Sequence, residues 1–94
     1  MNRKKYKQQF KKLQKECRET AFRKNEDYAL EEDALLNFRR HGVEGILTRI
    51  WDKYVRIEHL LKKEASVKDE SIEDTLLDLS NYALLALMLY KEKN

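Results

Sequence analysis

The sequence predicts an all-α protein: a small antiparallel bundle of about four helices, completed by oligomerisation. The 94-residue chain has no proline and only two glycines, Gly42 and Gly45, so it lacks the turn punctuation of a hairpin-rich β fold. Lys, Glu, Leu and Arg are abundant, and all four are good helix formers. Apolar residues recur at steps of three and four, the signature of helices with one buried face. Residues 1–94 make one domain, near the lower size limit for folding on a single hydrophobic core.

The first helix is expected over residues 3–24. Tyr6, Phe10, Leu13, Cys17 and Ala21 form its stripe, at steps of 4, 3, 4 and 4. Asn25, Glu26 and Asp27 should break it. A short second helix is expected over residues 31–41, with Ala34, Leu35 and Phe38 inward. Arg39, Arg40 and His41 suit the negative end of its dipole, and Gly42 suits a left-handed C′ residue. The third helix is expected over residues 45–63. Its core stripe is Ile46, Ile50, Tyr54, Ile57 and Leu61, flanked by Leu47 and Trp51. After a short linker, the fourth helix should cover residues 70–91, antiparallel to the third. Ser71 with Asp74 and Ser66 with Asp69 offer alternative capping boxes for its start. From Tyr82 to Tyr90 this helix is apolar around nearly its whole circumference. So small a bundle cannot cover every side of it, which is why a homo-oligomer is expected.

The net charge of +3 conceals an asymmetry. Residues 1–24 hold ten Lys/Arg against Glu16 and Glu19, a balance of +8, whereas the other seventy residues carry −5. Such a basic arm suits nucleic acid, an anionic surface or an acidic partner, or it is a solvated face complementing the acidic body of its own oligomer. One cysteine excludes an intrachain disulfide and a cysteine-based zinc site, and Cys17 is best explained by core packing. No apolar stretch follows the basic N-terminal segment, and the Tyr82–Tyr90 run is well short of the ~20 residues needed to span a bilayer. A cytoplasmic protein with no membrane partner is therefore expected.

Two charged sets stand out. On the third helix, Arg49, Asp52, Lys53 and Arg56 fall within a sector of about 100°, and His59 extends the row. They are either a ladder of exposed ion pairs, Arg49–Asp52 and Asp52–Arg56, or a polyanion site in which Asp52 is available to a metal. On the fourth helix, Glu70, Asp74, Asp78 and Asn81 share about 80° of one face. Like charges four apart disfavour a helix, so this row needs compensating cations. Asp78 lies within Leu76-Leu77-Asp78-Leu79, where an unpartnered carboxylate is costly. Pairing with Arg49 or Arg56, or ligation of a metal, would relieve it. Together the two rows present hard oxygen ligands suited to Mg²⁺ or Mn²⁺ beside cations suited to nucleotide phosphates. Gly-rich P-loops, HExxH helices and GxSxG elbows are missing from the sequence.

At these residues the chain resembles the nucleotide modification associated domain family of phages and bacteria, small helical proteins allied to the MazG-like all-α NTP pyrophosphohydrolases. The resemblance rests on Lys24-Asn25-Glu26-Asp27-Tyr28, on Asn37-Phe38, and on Gly45-Ile46 followed by Arg49-Ile50-Trp51-Asp52-Lys53 and Arg56. It continues through Asp69-Glu70-Ser71-Ile72-Glu73-Asp74-Thr75-Leu76-Leu77-Asp78-Leu79 to Asn81-Tyr82-Ala83. The resemblance implies a phosphate-handling pocket for a nucleotide, linked to phage DNA metabolism or base modification. By the same likeness, Asp52, Glu70 and Asp74 would ligate Mg²⁺ for attack between the α- and β-phosphates, with Asp78 as a further ligand or a support. Arg49, Lys53 and Arg56 would bind phosphates, while Lys24, Asp27, Tyr28 and Asn37 would serve the base or sugar end. The chain departs from the MazG-like pattern at one place, where Arg49-x-x-Asp52 stands for the usual pair of glutamates. Three functions are therefore expected in competition. One is a Mg²⁺-dependent nucleotide pyrophosphohydrolase, the second a protein that sequesters or senses a nucleotide without turnover. The third is a nucleic-acid-binding module using residues 3–24.

Overall fold

The computed structural model describes residues 1–28, 32–63 and 69–93, without the side chains of Tyr28, Asp69, Glu70, Ser71 and Lys93. Within these residues the protein is four helices: α1 (Arg3–Tyr28), α2 (Leu36–Arg39), α3 (Gly42–Lys62) and α4 (Asp69–Lys93). The all-α expectation holds, with no strand among the described residues. No helix is long and apolar enough to cross a membrane.

Helix α1 opens on Asn2, whose side-chain oxygen accepts the Lys5 N–H at 2.8 Å and so satisfies one of the unpaired donors of the first turn. It does not stop at Asn25-Glu26-Asp27. None of those three residues breaks a helix as glycine or proline does, and Asn25 is tied down by donating to the Ala34 carbonyl at 2.8 Å. That bond leaves Ala34 exposed outside α2, not facing inward as expected. Helix α2 shrinks to a single turn because Asp33 takes the Leu35 N–H with its own carboxylate, at 3.1 Å, and makes a local turn in place of helix.

Gly42 adopts the left-handed conformation (φ 69°) where α2 gives way to α3, two residues past the Arg40 C-cap. Helix α3 therefore starts three residues earlier than the pattern suggested. Helix α4 already includes Ser71, which cannot be its cap; Ser66 and the rest of residues 64–68 lie outside the described residues.

Helices α3 and α4 pack along most of their lengths as antiparallel neighbours, and α1 lies on α4 through its C-terminal half. The core is small: among the described residues Cys17, Ile46 and Leu89 are the buried apolar ones, and Thr75 is buried near the start of α4. The inward face of α3 runs through Ile46, Ile50, Lys53, Ile57 and Leu60, whereas Tyr54 and Leu61 are exposed. This corrects the expected stripe: the residues that face α4 step by 4, 3, 4 and 3, which brings in Lys53 and Leu60 in place of Tyr54 and Leu61, and Lys53 is accommodated there by a carboxylate on α4. Tyr6, Phe10 and Leu13 are likewise exposed, as are Leu84, Leu87 and Met88 on α4. The chain exposes 8102 Å², against about 5,800 Å² for a compact monomer of its mass. Its radius of gyration is 15.2 Å, where about 12 Å is usual for this length.

Candidate functional site

Three helices meet at one carboxylate. Asp78 sits mid-way along α4, flanked by leucines, with its side chain only 19% exposed. Lys24, near the end of α1, donates its ammonium to Oδ1 at 2.9 Å. Lys53, on the inward face of α3, brings its Nζ to 3.5 Å from Oδ2. The sequence argument that Asp78 needs a cation is met, but by these lysines and not by Arg49 or Arg56. The register explains it: Lys53 lies at a 4-3-4-3 position facing α4, while Arg49 and Arg56 lie one edge further round and stay exposed. One turn along α4, Asn81 donates to the Cys17 carbonyl at 3.0 Å and fastens α1 to α4 just before Lys24. Asn81 thus positions a helix.

The junction carries two ammoniums against one carboxylate, a local excess of one positive charge, and its lysines are 51% and 28% exposed. Ammonium groups held in place but open to solvent can receive phosphate oxygens without a conformational cost of assembly. Arg49, Asp52 and Arg56 are exposed on the adjacent edge of α3, and among the described residues they form no ion pair with one another. The expected ladder is therefore not made, and among the described residues neither guanidinium is taken up by an ion pair.

Of the other sequence-predicted residues, Asp74 is exposed one turn before Asp78, and Asp27 and Asn37 are exposed on α1 and α2. The side chains of Tyr28 and Glu70 lie outside the described residues. Asp52 and Asp74 are exposed oxygen donors of the type Mg²⁺ and Mn²⁺ prefer. Asp78, by contrast, has an oxygen engaged by each of two ammonium groups and would have to release them before ligating a metal. Among the described residues no group of three His, Cys, Asp or Glu side chains could hold a metal ion.

A second polar cluster was not anticipated. Arg39 closes a clamp between α2 and the end of α4, donating to Asp33 at 2.8 and 3.1 Å and to both carboxylate oxygens of Glu92. The bonds to Arg39 hold the Asp33 and Glu92 carboxyls below their ordinary values and push the guanidinium further up. Arg39 and Glu92 lie 53 positions apart, so no local pattern could reveal the pair. No buried side-chain nitrogen or oxygen among the described residues lacks a partner.

A family model described as Nucleotide modification associated domain 1 matches residues 24–89, from the lysine of α1 that reaches Asp78 to the buried Leu89. No curated protein and no solved structure matches the chain.

Proposed function

Because the chain belongs to the Nucleotide modification associated domain 1 family, which covers seven-tenths of its length, we propose that it binds a nucleotide through the phosphates at the Lys24–Lys53–Asp78 junction. The convergence of two lysines from different helices on one carboxylate carries this reading. Asp78 orients both ammoniums, and an incoming phosphate takes the donors that its two oxygens leave open. Arg49 and Arg56 extend the cationic surface along α3, where a guanidinium fork matches a phosphate edge. Asp27, Tyr28 and Asn37, at the α1 end and on α2, are assigned to the base or sugar.

Asp52, Glu70 and Asp74 are the residues that would hold Mg²⁺ or Mn²⁺. When bound, such an ion neutralises phosphate charge and activates water for attack on a phosphoryl group. In that reading the protein is a nucleotide pyrophosphohydrolase, and Asp78 supports the site as an anchor for lysines. The arginine at position 49, where the MazG-like pattern carries a glutamate, favours the second reading, a nucleotide-sequestering or sensing protein.

A panel of NTPs and dNTPs with Mg²⁺ or Mn²⁺, followed by calorimetry and pyrophosphate release, separates these readings. Lys53→Ala and Lys24→Ala should each weaken nucleotide binding about tenfold, close to 1.4 kcal/mol. Pyrophosphate release lost in Asp74→Ala with binding retained identifies the enzyme. Tight binding without product identifies the sequestering protein, and no binding of any nucleotide refutes both.

A further inference from the structure

Two helical faces of the chain are left uncovered, and they match in spacing and charge. On α1, Tyr6, Phe10 and Leu13 share the face of the buried Cys17, all within about 60°, yet each is more than half exposed. On α3, Leu47, Trp51 and Tyr54 form a stripe beside the one that packs on α4, and Leu61 continues it. Trp51, the chain's only tryptophan, is 62% exposed and stacks on Tyr54 with ring centroids 5.6 Å apart. Leu47, Trp51 and Tyr54, with Ile50 and Glu58, line a shallow, open cleft of about 500 Å³.

Both stripes step by four and then three, so each presents its apolar side chains over about 10 Å of helix, the spacing of interlocking helix seams. Charge agrees with the match. Arg3 and Lys7 flank the α1 stripe within a segment of balance +8, whereas Glu44 and Glu58 flank the Trp51 stripe. Arg49 and Arg56 lie on the opposite edge of the α3 buried face. Surface area agrees as well. The chain exposes roughly 2,300 Å² more than a compact monomer of its mass, and a stable dimer removes about 800 Å² or more from each partner.

We infer that two copies of this chain pair through the N-terminal halves of α1, each Tyr6–Phe10–Leu13 stripe docking on the Leu47–Trp51–Tyr54 face of the other copy while the rest of α1 stays on its own α4. The docking is reciprocal about a two-fold axis, so it closes at two copies and does not propagate into a filament. Lys24, Lys53 and Asp78 take no part in it, and the pairing stands or falls independently of the nucleotide reading.

Sedimentation and Trp51 fluorescence test the pairing without added ligand. The wild-type chain is expected to sediment as a dimer at roughly 50 μM, and its Trp51 emission moves to longer wavelength as dilution separates the copies. Phe10→Glu and Leu47→Glu each alter an exposed side chain and should remain helical by circular dichroism, with association weakened about tenfold or more. An equimolar mixture of the two variants should regain dimer in part, since one chain keeps its α1 stripe and the other its α3 face. A monomeric wild type overturns the inference, as does a dimer whose dissociation leaves Trp51 emission unmoved. A mixture no more dimeric than either variant alone overturns it too, because an intact α1 stripe and an intact α3 face then fail to find each other. If a variant loses its helicity, the wild-type dilution series decides alone. A chain that stays monomeric while DNA shifts its Trp51 emission assigns the stripes to nucleic acid and refutes the pairing.

Discussion

Gly45 lies in the first turn of α3, where replacing glycine by alanine ordinarily stabilises a helix by about 1 kcal/mol. Here a Cβ would stand 2.3 Å from the His41 Cβ, an atom that moves only with its backbone. Gly45→Ala is therefore expected to destabilise the fold by about 1–3 kcal/mol, the range for overpacking a filled site. Adding His41→Gly removes the opposing atom and should recover most of that loss in urea unfolding. A double variant no more stable than Gly45→Ala would show that the contact is not the cause. Asp78 shows the same division of information. Its leucine neighbours make the need for a cation legible in the sequence. Which cation answers depends on the angular position of Lys53 on α3 and on how far α1 continues, and neither is written near Asp78.

Helix α2 owes its existence to contacts outside itself, since four residues are far too few to be helical alone. Arg39 holds it, joined to Asp33 in the preceding turn and to Glu92 on α4. Both carboxyls are held below their ordinary values of 3.8 and 4.5 by bonds to that guanidinium. A depressed folded value means that the clamp's contribution is complete above those ordinary values. It is lost as pH falls through the lower folded ones. The urea midpoint should therefore be level at neutral pH and decline below about pH 4.5, and Arg39→Gln should flatten part of that decline. An unchanged acid profile in Arg39→Gln would exclude the clamp as its source. The longer elements were largely legible: α3 and α4 follow from periodicity and a scarcity of breakers. The extension of α1 was not, because its extra turn is secured by Asn25 reaching Ala34, nine positions away.

Taken alone, the chain is underfilled. With few buried apolar residues and many half-exposed ones, its stability should be tied to association. The thermal midpoint is expected to rise by a few degrees for each tenfold increase in concentration, and Phe10→Glu should remove the dependence. A midpoint independent of concentration would mean that the three-helix core is sufficient.

The asymmetry between basic arm and acidic body, the helical class, and the charged rows on α3 and α4 follow from composition and spacing, because these are properties of one helix at a time, whereas Lys24, Asp27, Tyr28 and Asn37 came only from the family resemblance. The partners did not follow. Lys24 and Lys53 on Asp78, and Arg39 on Glu92, join positions 25 to 54 residues apart. Periodicity tells which side of a helix is apolar; only packing tells which of two apolar sides a small core has room to cover.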